Sequence, residues 1–489
     1  MIEVKAINLT RAKVDTLAVP VCEDSDIHKD KTLTSLISLA KAKDEFSGKS
    51  GEMMTLFQPK GLHIRRVVFV GVGPHDSLIG DALRVFSGKA VKFCAKAGLS
   101  AMTIATPSAA ALKMDAATVF KTLIEGSCLG NHVFDRYKKD ADKKPLKKVI
   151  LMATAAQKKA YAGLAQAVQQ VCAASIMARE WVTIPSNDKR PAAFAGMIRK
   201  AARKSGLKTS VKDERWLQQH QFGAMLAVAQ GSNAKPRLVT LEYAPKNAKQ
   251  TVVLVGKGVT FDSGGINLKP SGSIETMKMD MSGAAAVAGT MLAVARLKPG
   301  LKVVGVMPLV ENMPSGTAIR PGDIIRSHAG KTVEIGNTDA EGRLILIDAM
   351  AWAIKAYKPH TMIDLATLTG ACVVALGEKI AGVFSKDQQL ADEIVASGKA
   401  THERCWQLPL PDDYKELLKN EFADLNNVSS GRWGGAITAA LFLSEFVGDT
   451  RWAHIDIAGP AWSKKASDYC GAGGTGFGVR LLCDLLEKM

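Results

Sequence analysis

No stretch of about 18 consecutive apolar residues occurs in the 489-residue chain, which argues against a transmembrane helix. The first residues, MIEVKAINLTRAKVDTLAVPV, scatter charges where a signal peptide would carry its apolar core, so no secretory leader is expected. Eight cysteines stand at positions 22, 94, 128, 172, 372, 405, 470 and 483, and none of them forms a CxxC pair. That usage predicts reduced thiols and a cytoplasmic location rather than a disulfide framework. HExxH is absent; the nearest string, His402-Glu403-Arg404-Cys405-Trp406, lacks the second histidine. GxSxG and GxxxxGK[ST] are absent too, so neither a serine-hydrolase elbow nor a phosphate-binding loop is signalled. GVGPHD at 71–76 follows a strand-like run, but Asp76 stands where a dinucleotide fingerprint needs its third glycine, and a plain strand-to-helix turn is the simpler reading. Internal repeats and low-complexity tracts are also missing.

The length exceeds that of a typical single core, and two domains are expected. The formal net charge is +17, unevenly placed. Successive fifties from residue 51 to 250 carry +4, +4, +5 and +6, residues 1–50 are neutral, and residues 251–489 carry −2. The basic excess includes Lys138, Lys139, Lys143, Lys144, Lys147 and Lys148, then Arg199, Lys200, Arg203 and Lys204. Such charge suits a solvated surface or contact with a polyanion such as DNA.

Apolar runs at 14–22, 65–73, 102–107 and 147–154 read as strands, with a helical pattern from Asp81 to Ala97. Strands alternating with helices imply an α/β unit with a mostly parallel sheet, assigned to residues 1–160. A long helical pattern near Tyr161 to Thr183 ends at IPSNDKRP and is expected to connect the domains over residues 161–185. Residues 186–489 read as a second, larger α/β domain. WLQQHQFGAMLAVAQGS reads there as a helix and loop, and LILIDAMAWAIKAY as a helix beginning at Leu344.

The chemistry concentrates in two stretches. VGKGVTFDSGGINLKPSGSIETMKMDMSGA, residues 255–284, begins at the end of a buried strand and becomes a glycine-studded loop with Lys257, Asp262, Lys269 and Asp280. Acidic and basic side chains so close to a core demand partners or metal. IGNTDAEGRL, residues 335–344, spaces Asp339, Glu341 and Arg343 two apart, which on an extended segment puts all three on one face. Taken singly, Asp262 reads as a turn aspartate, Asp280 as a helix cap, and the lysines as exposed. Taken together, four carboxylates without histidine or cysteine suggest hard oxygen ligation, suited to Mg or Mn and possible for Zn. Two divalent ions about 3.5–4 Å apart, sharing carboxylates, would relieve the mutual repulsion and form a hydrolytic centre. A lysine amine desolvated beside such cations can lose its proton and ligate, and one that stays charged can stabilise an oxyanion.

VGKGVTFDSGG, MKMDMSGAA, NTDAEGRL and DLATLTGA closely resemble the leucyl aminopeptidase family, the cytosol aminopeptidases of peptidase family M17. The resemblance covers roughly residues 170–489 and is looser before them. It implies a two-domain α/β protein with a di-metal peptidase domain, releasing N-terminal leucine and other apolar residues from peptides. Lys257, Asp262, Asp280 and Glu341 match the ligands of a tighter metal, and Asp262, Asp339 and Glu341 those of a more exchangeable one. Lys269 matches the catalytic lysine, and Arg343 the arginine that holds a bicarbonate proton shuttle. Met277, Thr367, Leu368 and Gly370 match substrate-pocket positions. The resemblance further implies two Mn or Zn ions (Mg or Co as alternatives), peptide substrates with a free N-terminus, and a homohexamer. Some bacterial members also bind DNA, which the basic excess would allow. No membrane partner is expected.

Overall fold

A computed structural model of the chain describes residues 1–42, 46–140 and 144–489, so Lys143 lies outside the described residues. The chain divides into two compact units, residues 1–173 with 465–472, and residues 174–464 with 473–489. No helix among the described residues is long and apolar enough to cross a membrane.

The first unit carries a six-stranded sheet built from β1 (Ile2–Ala6), β2 (Val14–Cys22), β3 (Met53–Phe57), β4 (Ile64–Gly73), β5 (Ala101–Ile104) and β6 (Lys148–Ala153). The order is β1-β6-β5-β2-β4-β3, and only β3 runs antiparallel to its neighbour. Helices α1 (Lys31–Lys41), α2 (Gly80–Lys96) and α3 (Ala116–Gly130) complete it. The alternation of strands and helices makes this an α/β unit with a mostly parallel sheet, as the sequence predicts. Its core gathers Leu17, Val19 and Val21 of β2, Val67 and Phe69 of β4, and Leu33 and Leu36 of α1. GVGPHD is a turn: β4 ends at Gly73, and a single 3-10 turn over His75–Ser77 leads toward α2. Helix α4 (Ala155–Thr183) is longer than its sequence pattern suggests, beginning six residues before Tyr161.

The second unit contains α5 (Pro191–Ser205), β7 (Lys208–Lys212), α6 (Glu214–Gln219), α7 (Gly223–Ala229), β8 (Arg237–Tyr243), β9 (Thr251–Gly256), β10 (Gly258–Asp262), α8 (Ser282–Leu297), β11 (Lys302–Asn312), β12 (Ile324–Arg326), β13 (Thr332–Glu334), α9 (Glu341–Tyr357), β14 (Thr361–Ala366), α10 (Gly370–Leu376), β15 (Ala381–Phe384), α11 (Gln388–Thr401), β16 (Cys405–Gln407), β17 (Leu425–Asn426), α12 (Gly435–Ser444), β18 (Arg451–Asp456) and α13 (Val479–Lys488). Its main sheet has the order β16-β15-β18-β14-β9-β11-β8-β7, with β10 added beside β11. The centre, β18-β14-β9-β11, is parallel. Strand β9, TVVLVG, is buried from its second residue onward because both faces of a central parallel sheet are covered. Helix α8, SGAAAVAGTMLAVARL, is buried through Ser282–Val294, and its small residues allow close packing on the sheet. The carboxyl ends of β9, β10 and β14 lead into Lys257, Asp262 and the 367–370 turn of the candidate site.

Two local expectations change. WLQQHQFGAMLAVAQGS forms two short helices, interrupted where Gln221 takes a left-handed backbone and Gly223 packs against the carbonyl of Arg326. The other concerns NTDAEGRL. Glu341 and Arg343 are not on an extended segment but in the first turn of α9, so they do not share a face with Asp339 by alternation. Burial of Leu344, Ile345, Leu346 and Ile347 against the core extends the helix back to Glu341.

Candidate metal centre

Six carboxylate and lysine positions converge from separate stretches. Lys257 follows β9; its N–H donates to Leu365 O and its carbonyl accepts from Ala284, which locks the backbone between β14 and α8. Its buried ammonium donates to Thr367 O at 2.8 Å and stands 2.8 Å from both Asp280 Oδ1 and Glu341 Oε1. Asp262 closes β10, beside Asn312 at the end of β11. Asp262 Oδ1 accepts from Gly264 N at 2.9 Å and from Asn312 Nδ2 at 2.8 Å, while Oδ2 faces Lys269 Nζ at 2.9 Å. Gly264 and Gly265 have φ of +88° and +68°, so this turn needs glycine. Lys269 also reaches Asp339 Oδ1 at 2.6 Å.

Asp280 does not cap α8, whose N-cap is Met281. Its Oδ1 accepts from Thr367 Oγ1 at 2.7 Å instead. Glu341 is the first residue of α9 and is buried. Arg343, also buried, points elsewhere: it donates to Asn427 O at 2.7 Å, and its Nε has no hydrogen-bond partner. The side chain of Asp339 is 33% exposed, against 2% for Asp262 and Glu341, so the cluster opens on the Asp339 side.

Burial pushes the Asp280 carboxyl well above the usual carboxylate range, against the pull of Lys257. Burial and the Asp262 carboxylate raise Glu341, and together they push Asp339 up to about 6. Burial opposes a charge on Lys257, but Asp280, Glu341 and Asp262 outweigh it and hold the amine above the ordinary lysine value. Lys269 is held high in the same way by Asp262, Glu341 and Asp339. Arg343 is lowered to about 10 by burial, with Glu341 and Asp456 opposing.

This donor set fits hard divalent cations. Asp262, Asp280 and Glu341 each present an oxygen within 4.8 Å of the others, and Asp280 Oδ2 is buried with no hydrogen-bond partner. Four carboxylates against two ammonium groups leave the cluster net negative, as cation binding requires.

Of the remaining sequence candidates, Thr367 touches both Lys257 and Asp280. Leu368 is half-buried beside it, and Gly370 opens α10 at an exposed position. Met277 lies in the 3-10 turn Ile274–Met279, where its carbonyl accepts from Asp280 N. The sequence reading missed the amides that knit these loops together. Asn312 Nδ2 donates to Asp262 and to Thr338 O at 3.1 Å. Asn427 Oδ1 accepts from Gly336 N and Asn337 N, and its Nδ2 donates to Asn337 O. Thr338 Oγ1 donates to Gly264 O. Position at a strand end was the only signal, and an asparagine there looks like any turn residue.

The sequence model of the catalytic domain of the cytosol aminopeptidase family matches residues 176–483, and that of the family's N-terminal domain matches residues 20–141. The chain belongs to the cytosol aminopeptidase family. The N-terminal match carries the resemblance into the first unit, where motifs alone were weak. A probable cytosol aminopeptidase of Geobacter sp. (strain M21) is 44% identical over 447 residues, 91% of this chain and 90% of that one. Another, from Syntrophotalea carbinolica, is 42% identical and covers 97% of each chain. Among solved structures, the bottromycin maturation enzyme BotP in complex with Mn superposes with a TM-score of 0.86 at 34% identity, covering 97% of this chain and 99% of BotP. As a cytosol aminopeptidase family member, the chain is a metal-dependent hydrolase acting on peptide bonds.

Proposed function

We propose that the chain is a two-metal aminopeptidase that releases N-terminal leucine and other apolar residues from peptides. The observation that carries this reading is the closure of Lys257, Asp262, Asp280, Asp339 and Glu341, from separate loops, around one small acidic space. Lys257, Asp262, Asp280 and Glu341 would hold one ion and Asp262, Asp339 and Glu341 the other, with Asp262 and Glu341 shared. Bound there, divalent ions supply Lewis-acid polarisation and make water acidic enough to attack at neutral pH. Mn or Zn is the expected metal, with Mg or Co as alternatives; BotP, solved with Mn, supports the first.

The chain's own groups then have distinct tasks. Lys269, the more open of the two lysines, would donate to the scissile carbonyl and stabilise the developing oxyanion. With divalent cations taking up the carboxylate charge that otherwise holds it protonated, Lys257 would give up its proton to ligate. Arg343, with a buried Nε unspent, would hold bicarbonate as a proton carrier. The substrate's free α-amine would bind one of the ions, so an unblocked N-terminus would be required. Met277, Thr367, Leu368 and Gly370 would line the space for the first side chain. All eleven candidate residues lie in the second unit, within the 186–489 stretch proposed as catalytic, after a 1–160 domain and a 161–185 connecting helix. A cytoplasmic homohexamer is proposed from the family resemblance.

A secondary DNA-binding role rests on the exposed cations Arg199, Lys200, Arg203 and Lys204 of α5 together with the basic excess of residues 51–250. A gel shift with duplex DNA that weakens steeply with salt supports it; no shift at low salt rejects it. The peptidase reading is tested by stripping metal, restoring Mn, Zn, Mg or Co singly, and measuring hydrolysis of an amino-acid amide panel. Metal-restored cleavage of free-amine leucinamide, with its N-acetyl form untouched, is expected; no cleavage with any metal overturns it.

A further inference from the structure

Asp456 ends β18, in register with Ala366 of β14, and is completely buried. Both of its oxygens are used twice. Oδ1 accepts from Leu368 N and from Ala458 N, each at 3.1 Å. Oδ2 accepts from Thr369 N at 3.1 Å and Thr369 Oγ1 at 2.7 Å. Thr369 Oγ1 in turn caps α10 by accepting from Cys372 N. One carboxylate therefore fastens the 367–370 turn, the start of α10 and the segment after β18. Lys257 grips the same turn from the other side, at Thr367 O.

We propose, resting on the peptidase reading above, that Asp456 is a positioning residue that sets the shape of the pocket for the substrate's first side chain. Its four partners are all donors, so a group with four acceptor sites is required. Asparagine has the same outline but would turn an NH2 toward two donors. With Asp456 intact, the 367–370 turn is held at fixed distance from the Lys257 cluster, and substrate selection is built into that spacing. Asp456 touches none of the proposed ligands, so its loss acts on substrate fit and leaves the metals in place.

The test uses the metal-loaded full chain and Asp456→Asn. Expected are unchanged metal content, a KM for leucinamide raised about tenfold, kcat altered less than about threefold, and a flattened preference across the amide panel. Calorimetry with free leucine reads the pocket without turnover and should show the same loss. Should Asp456→Asn fail to fold, Thr369→Val, which removes one of the four bonds, should raise KM in part, and Thr369→Ser should restore it. Unchanged KM and leucine affinity, or loss of bound metal, overturns the proposal. A wild type that binds leucine but cleaves nothing overturns the peptidase reading alone.

Discussion

Lys257 runs so closely past Gly342, in the first turn of α9, that a methyl group built on Gly342 would lie within 2.7 Å of Lys257 Nζ. The helix gains from alanine there by up to about 1 kcal/mol of intrinsic propensity, while the lysine loses its place. Gly342→Ala should therefore stay folded yet lose turnover by about a hundredfold, because displacement by an ångström costs that much. Steady-state kinetics beside a thermal melt checks both halves; normal kcat would show that Lys257 need not stand where it does.

Lys269 bridges Asp262 and Asp339 and is the more open of the two lysines. Lys269→Met keeps the stem and removes the charge. Its kcat should fall by about 10²–10³ with a smaller change in KM, as expected for a group that acts on developing charge. Arginine should not rescue it, since a planar fork cannot sit where a compact ammonium does.

Asn312 sends its amide to Asp262 Oδ1 and to Thr338 O, which aims the carboxylate. Asn312→Ala should weaken metal binding by about 10–100-fold. Competition with a chromogenic chelator measures this independently of catalysis, and wild-type affinity in the variant would remove Asn312 from the site's supporting framework.

Asp348, in α9, is buried and accepts from Met225 N and His328 N, yet burial pushes its carboxyl up to about 7. The unfolded chain releases this proton near pH 4. Between about pH 4 and pH 7 the unfolded state is ionised while the folded state keeps its proton, so this group makes stability fall as pH rises, with no further change above about 7. Asp348→Asn should remove that slope. Urea unfolding of both proteins across the window should show the wild type losing ground to the variant as pH rises; parallel curves would refute it.

Much of this was legible because burial leaves a periodic trace. Strand β9 is a continuous apolar run, and it was the clustering of charged residues after it, not any one of them, that pointed to pairing or ligation. The helical start at Glu341 was not legible: NTDAEGRL alternates charged and small residues like a strand, and only the packing of Leu344 to Ile347 reveals the turn before them. Edge strands β1 and β3 are short and half exposed, so their pattern was faint. Asn312, Asn427 and Asp456 were invisible for another reason. Their roles are hydrogen bonds to chain segments distant in sequence, which no local spacing records.

The division of the chain has a practical consequence. Residues 465–472 belong to the first unit, and the first of the three covalent passages between units, at 173–174, falls inside the unbroken helix α4. No single scission can therefore liberate the amino-terminal part intact: a cut at 173–174 leaves residues 465–472 on the other fragment and severs α4.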